Sequence, residues 1–186
     1  MASVAECEPL PVSQARAGSP EAWDILFRRY QRPLYAYVFE LVHHEQTSLD
    51  IVQETFISAA RHLGGLREDR KFGGWLFGIA HQKCIQRWRR QGREVPLDDE
   101  PGELAPEGCG FAEAPDEVLI REEQESEFMK LVSQLPPLQR SVLLLHVLED
   151  FPLEEIATIT SAPLGTVKSR LFHAKKALRH LVAQNT

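Results

Sequence analysis

Residues 162–179 read APLGTVKSRLFHAKKALR, a stretch with no carboxylate in a chain of formal charge -6. Val167, Leu171, Ala174 and Leu178 recur at helical spacing, followed by Leu181 or Val182, and predict an inward stripe. The outward positions are then Thr166, Lys168, Ser169, Arg170, Phe172, His173, Lys175 and Lys176. Such a face has a definite chemistry. Lysine and arginine neutralise phosphates. Arg170 can donate two bonds to a guanine, and Ser169 can bond a base edge or a phosphate. Gly165 and Thr166 open the helix, where free N–H groups favour an anion. A carboxylate there would repel a polyanion, so its absence fits a nucleic-acid ligand. The plainer alternative is a basic last helix that complements its own dipole and keeps the surface soluble. The segment ahead, LEEIATIT and then the turn TSAP, favours the first reading. A short helix, a tight turn and a longer helix make a helix-turn-helix.

A second group of cations lies upstream. Arg67, Arg70 and Lys71 sit in the loop LREDRK (66–71), and Lys83, Arg87, Arg89 and Arg90 follow along the next helix. Residues 61–93 hold 9 Lys/Arg against 2 Asp/Glu, whereas residues 94–127 hold 1 against 13. Two basic modules flanking an acidic segment suggest a polyanion partner. Enzyme chemistry is not legible: there is no Gly-rich phosphate loop and no nucleophile–base pattern. Cys7, Cys84 and Cys109 lie far apart, which argues against a disulfide frame or a thiolate metal site and fits a cytoplasmic chain. His43, His44 and Glu45 are adjacent and diverge in direction, so neither metal nor cofactor is expected. No apolar run is long enough to span a membrane, and the first residues lack a signal layout.

The elements that position these residues read as helices throughout. Ser19 caps a helix with Pro20 at its first position, and Trp23, Leu26, Phe27 and Tyr30 form its stripe. Arg32-Pro33 is expected to break it, and Leu34, Tyr37, Val38 and Leu41 start a second stripe. Ser48 is expected to cap the next helix, with Val52, Phe56, Ala59 and Leu63 inward and Asp50, Gln53 and Glu54 outward. A helix over 72–90 turns Trp75, Leu76, Ile79 and Ala80 inward. Phe72 and Trp75 fit packing better than base stacking, and Trp88 stays open between the two. Residues 91–117 are rich in Pro, Gly and acid and read as a largely disordered tether. A helix over 118–134 enters the second module, and helices over 138–148, 153–159 and 164 onward complete it. The expected architecture is all-α: a tail (1–19), a helical domain (20–91), a flexible acidic linker (92–126) and a helix-turn-helix domain (127–182).

With these residues in view, the chain resembles the extracytoplasmic-function group of bacterial RNA polymerase sigma factors. LPPLQRSVLLLHVLEDFPLEEIATITSAPLGTVKSRLFHAKKALRHL is similar to their promoter-reading C-terminal domain. SLDIVQETFISAARHL and FGGWLFGIAHQKCIQRWRR resemble their N-terminal domain, in the expected order. The resemblance implies a non-enzymatic polymerase subunit that binds core RNA polymerase and promoter DNA, commonly restrained by an anti-sigma factor. The family's polymerase-docking motif falls on Asp50, Gln53, Glu54 and Phe56; the acidic and amide face of the first three suits a basic partner helix, whereas Phe56 fits the core better than a contact. The resemblance places capture of a flipped, single-stranded promoter base on the 66–71 loop. Arg67, Arg70 and Lys71 would hold the backbone there, and Lys83, Arg87 and Arg90 would continue the track. Thr166, Lys168, Ser169, Arg170, His173 and Lys176 would read the other promoter element. The family usually carries Asn where this chain has His81 and Arg where it has His173. The linker's acids could mimic nucleic acid, shield the modules, or simply keep a tether soluble. The competing class is a one-component regulator that binds operator DNA alone. It accounts for the helix-turn-helix but not for the N-terminal domain.

Overall fold

The computed structural model describes residues 10–90 and 128–185, and all regular structure among them is helical. The acidic linker and the start of the helix expected over 118–134 lie outside the described residues.

Ser19 caps as its sequence suggests, its Oγ accepting the Ala22 N–H at 3.2 Å, with Pro20 opening the helix. That helix, α2 (Pro20–Val42), runs through Pro33 without ending, which corrects the expected break. Proline forfeits one intrahelical bond and crowds the preceding turn. Here Tyr30, Leu34, Tyr37, Val38 and Leu41 form one buried stripe across that point, and burial outweighs the loss. The following helix, α3 (Glu45–His62), is capped by His44, whose Nδ1 accepts the Thr47 N–H at 3.2 Å. Ser48, expected as the cap, is instead buried one turn in and donates to the His44 carbonyl at 2.9 Å.

Residues 10–19 of the segment expected to be a tail (1–19) are part of the packed unit, and residues 1–9 lie outside the described residues. Helix α1 (Val12–Arg16) buries Val12 and Ala15 against α2, and the Trp23 indole N–H donates to the Ala15 carbonyl at 3.1 Å. Gly18, at φ +94°, turns the chain from α1 into α2 in a conformation that strains other residues. After α3, two short 3₁₀ turns, Leu63–Gly65 and Asp69–Lys71, bracket the basic loop and lead into α4 (Phe72–Arg90).

In the second unit, residues 128–132 are helical. Then come α5 (Pro137–Val147), α6 (Leu153–Thr160) and α7 (Leu164–Asn185). The turn between α6 and α7 is made by Ser161 in the left-handed region, φ 54°, and by Ala162 and Pro163. Helices α6 and α7 form the helix-turn-helix, and α5 closes its core with Val142, Leu143, Leu144 and Leu145.

The two units pack directly against each other, α4 on α6 and α2 on α5. Helix α4 is therefore enclosed on nearly every side. Leu76, Phe77, Ala80, His81, Cys84, Ile85 and Trp88 are all buried, and Phe77 was not among the expected inward residues. Trp75 and Ile79, expected inward, are half-buried at the seam, and Trp88 packs in the core. Glycines allow the close crossing. A Cβ on Gly78 would lie 3.8 Å from the Ile159 backbone, and one on Gly74 would meet the Glu155 carboxylate. Gly78→Leu should therefore push α6 off α4, because its branch extends beyond the contact distance. Small-angle scattering should show a larger radius of gyration than wild type, while Gly78→Ala should leave it unchanged. An unchanged radius for the leucine variant would show that the seam does not depend on this crossing.

Candidate nucleic-acid interface

Over residues 166–176 of α7 the exposed residues are Lys168, Phe172, His173 and Lys176, with Thr166, Ser169 and Lys175 half-buried beside them. These form a continuous cationic face near the helix-turn-helix. Arg170 is not on it. Its side chain is only 6% exposed, which corrects the expected outward position. The reason is periodicity: Val167, Arg170, Leu171 and Ala174 stand at i, i+3, i+4 and i+7, so Arg170 completes the inward stripe. That spacing was available in the sequence and was overridden by the residue's charge. Arg170 points toward the seam between the units, where its charge adds to the forces holding His81 neutral.

His81 lies in a buried polar cluster that joins three helices. Tyr37 Oη on α2 lies 2.9 Å from His81 Nδ1 and 2.8 Å from Ser141 Oγ on α5, and Ser141 Oγ lies 3.2 Å from His81 Nδ1. Burial first, then the charge of Arg170, pushes the imidazole down to about 4. Burial also raises the Tyr37 phenol and pushes the Cys84 thiol up to about 12, so that cysteine is no thiolate. The seam has further polar ties. Arg140 donates to the Glu40 carbonyl at 2.6 Å and bonds His43 Nε2, and the Gln82 amide donates to Ser161 Oγ at 3.2 Å.

Cations of the N-terminal unit lie along one edge. Arg67, Arg70, Lys71, Arg87 and Arg90 are exposed, and Lys83 is half-buried. Several already hold partners. Glu68 accepts from Arg70 at 2.8 Å and from Lys71 at 2.7 Å, and its carboxyl is lowered by those two bonds. Lys83 reaches Glu54 at 3.2 Å, which joins this edge to the acidic face of α3. On that face Asp50, Gln53 and Glu54 are all exposed. Sequence reasoning missed its apolar content. Leu49 is 47% exposed and Ile57 43%, flanking Gln53 at four-residue spacing. Phe27 of α2, also exposed, meets Phe56 edge-on at 4.8 Å, and Phe56, expected in the core, packs against it while remaining half-buried. The signal was an apolar residue on each side of Gln53, one step off the inward stripe. Between α3, α4 and α6 runs a groove of about 850 Å³, lined among others by His62, Lys71, Trp75, Ile79, Lys83 and Glu155.

Two family models match this chain in the order of its two units. Sigma-70 region 2 matches residues 26–94, and Sigma-70 region 4 matches residues 125–178. The RNA polymerase sigma-H factor of Pseudomonas aeruginosa PAO1 is 34% identical, over 90% of this chain and 89% of its own length. The ECF RNA polymerase sigma-E factor of Escherichia coli K12 is 32% identical, over 92% of each. The chain is a sigma factor of the extracytoplasmic-function group. The sigma factor's fold agrees with CnrH, solved in complex with the cytosolic domain of CnrY. That match has TM-score 0.69 and 19% identity, covering 97% of this chain and all of CnrH. The sigma factor RpoE of Bartonella quintana, solved with the anti-sigma factor NepR, superposes at TM-score 0.59 with 24% identity, covering 81% of this chain and 89% of RpoE. Sigma factors direct core RNA polymerase to promoters and are DNA-binding regulators, not enzymes. Among the described residues no helix of this sigma factor is long and apolar enough to cross a membrane, and no cluster could hold a metal ion.

Proposed function

We propose that this sigma factor reads two promoter elements with its two cationic faces while holding core RNA polymerase through α3. The observation that carries the reading is the exposed, carboxylate-free face of α7. Lys168 and Lys176 would neutralise phosphates, and Thr166, Ser169 and His173 would meet bases or backbone. His173, where the family usually carries Arg, presents an imidazole to the bases in place of a guanidinium fork and so changes base preference. Arg170 supports this face from behind and does not touch DNA in this arrangement. In the N-terminal unit, the 66–71 loop captures an unstacked base, with Arg67, Arg70, Lys71, Lys83, Arg87 and Arg90 along the strand. Asp50, Gln53 and Glu54, with the exposed Leu49 and Ile57 beside them, form a mixed acidic and apolar surface suited to a basic amphipathic helix of polymerase. The factor works in the cytoplasm, has no catalytic activity of its own, and is restrained by an anti-sigma factor that grips both units across their seam.

Transcription from a promoter library with purified core polymerase tests the reading. Lys168→Glu combined with Lys176→Glu should lower promoter-specific initiation at least about tenfold and make the log–log salt dependence shallower by about 2. Affinity for core polymerase should be unchanged. Initiation that needs no added sigma factor, or duplex binding at full specificity without polymerase, would favour an operator-binding regulator instead.

A further inference from the structure

Helix α1 ends in Arg16, and this side chain reaches across to the basic loop. Its Nη2 donates to the Leu66 carbonyl at 3.0 Å and to Asp69 Oδ1 at 2.6 Å, and its Nε donates to the Leu63 carbonyl at 3.4 Å. Those three acceptors span the loop. Leu63 begins the first 3₁₀ turn, Leu66 follows it, and Asp69 begins the second turn. Between the turns, residues 66–68 are not helical, and only their ends are tied to the turns, the Leu66 N–H donating to the Leu63 carbonyl at 3.1 Å and the Glu68 carbonyl accepting from Lys71. The loop's other hydrogen bonds are short-range: the Lys71 N–H donates to the Glu68 carbonyl at 3.0 Å, and the Glu68 carboxylate holds Arg70 and Lys71, while Leu66 packs against the core and Lys71 feels the Glu155 charge. Arg16 itself is well anchored, because Val12 and Ala15 on the same helix are buried.

We propose that Arg16 is a positioning residue for promoter-strand capture, its guanidinium clamping both ends of the 66–71 loop in the conformation that receives an unstacked base. This rests on the reading of that loop as the capture loop. The physical argument is preorganisation. Extruding a base costs stacking, and a loop that must also be ordered at that moment adds its own conformational entropy. A planar fork of fixed donors can hold two carbonyls and a carboxylate in one geometry, which a lysine ammonium on a flexible stem cannot reproduce. Helix α1, held in place by the burial of Val12 and Ala15, delivers this fork.

The test uses holoenzyme assembled from purified core polymerase and the full chain. Single-stranded 12-mers from a randomised pool are selected on wild-type holoenzyme, and the best one is compared with versions made abasic at each position. Oligo-dT serves as a probe of plain electrostatic binding. Arg16→Ala should cut the discrimination between intact and abasic oligonucleotide at least fivefold, with affinity for oligo-dT and for core polymerase within twofold of wild type. Arg16→Lys should restore less than half of the loss. A merely structural role would lower all three affinities together. Asp69→Asn removes the ionic end of the clamp without touching α1, so it decides the matter if Arg16→Ala folds poorly; it should give a smaller loss of the same kind. If wild type discriminates and Arg16→Ala and Asp69→Asn do so equally well, the clamp has no part in capture. If wild type itself shows no base discrimination, the capture-loop reading fails and the proposal goes with it.

Discussion

Phe77→Ala should lower the unfolding free energy by about 3–5 kcal/mol, the range for a fully buried phenylalanine. Phe77 is 0% exposed on α4 and meets Tyr37 of α2 and Phe151 of the second unit, each ring at 5.4 Å. Truncation removes packing on both sides at once, and the hole opens where two units meet, so the walls cannot collapse without shifting a whole unit. The loss should appear in urea unfolding, and the transition should split in two as the units stop supporting each other. Phe172→Ala, at a ring 37% exposed, should cost under about 0.5 kcal/mol and serves as the control. If Phe77→Ala lost less than about 1 kcal/mol, the ring would not be shared between the units in solution.

A second large effect concerns pH, where two buried groups work in opposite directions. His81 is held down to about 4, by burial and then by Arg170, against an ordinary value of 6.5. Above pH 6.5 it is neutral whether folded or not. As pH falls from 6.5 toward 4 the unfolded chain takes up the proton and the folded chain does not, so folding loses about 3 kcal/mol. Glu149 is pushed up to about 7, by burial and then by the charge of Asp150, from 4.5. The unfolded chain is then the one that gives up the proton first as pH rises. This contribution is fully present below pH 4.5 and is lost as pH rises through 7. It amounts to about 3 kcal/mol. Between pH 4.5 and 6.5 the two nearly cancel.

Each single variant should therefore unmask the other group. The stability of His81→Asn relative to wild type should improve by about 3 kcal/mol on going from pH 7 to pH 4, because asparagine takes up no proton while still reaching Tyr37 or Ser141. Glu149→Gln should shift the opposite way, losing ground against wild type as pH falls from 7 to 4.5. Chemical denaturation at several pH values, read as differences between variants, removes the contribution of every other carboxylate. A pH-independent difference between His81→Asn and wild type would mean that the imidazole is hydrated, with the seam open in solution.

Much of the site was legible because its signals are local. The Ser19 cap, the helix-turn-helix with its turn at Ser161, and the cationic face carrying Lys168, His173 and Lys176 follow from residues within a few positions of one another. At Pro33 and Phe56 a contact distant in sequence had intervened, and at Ser48 a competing local cap. Pro33 does not end its helix because the stripe from Tyr30 to Leu41 is buried as one. Ser48 does not cap because His44 starts the helix a turn earlier. Phe56 stays half-buried because Phe27, on another helix, offers it a partner at the surface.

The sequence alone determined that the chain is helical, that it is split into two basic modules by an acidic stretch, and that its last helix presents cations. Helical period and charge repeat at short range and need no partner to be read. Only the tertiary structure decided that the modules lie against each other and that Arg16 holds a loop some fifty residues away. Helix α4 carries apolar or small residues around most of its circumference, so no periodicity could say which side met α2 and α3 and which met α6. Tyr37 and Ser141 are separated by 104 positions. A hydrogen bond over that distance in sequence leaves no local trace, and it exists because the packing of glycines and rings brings those two hydroxyls together.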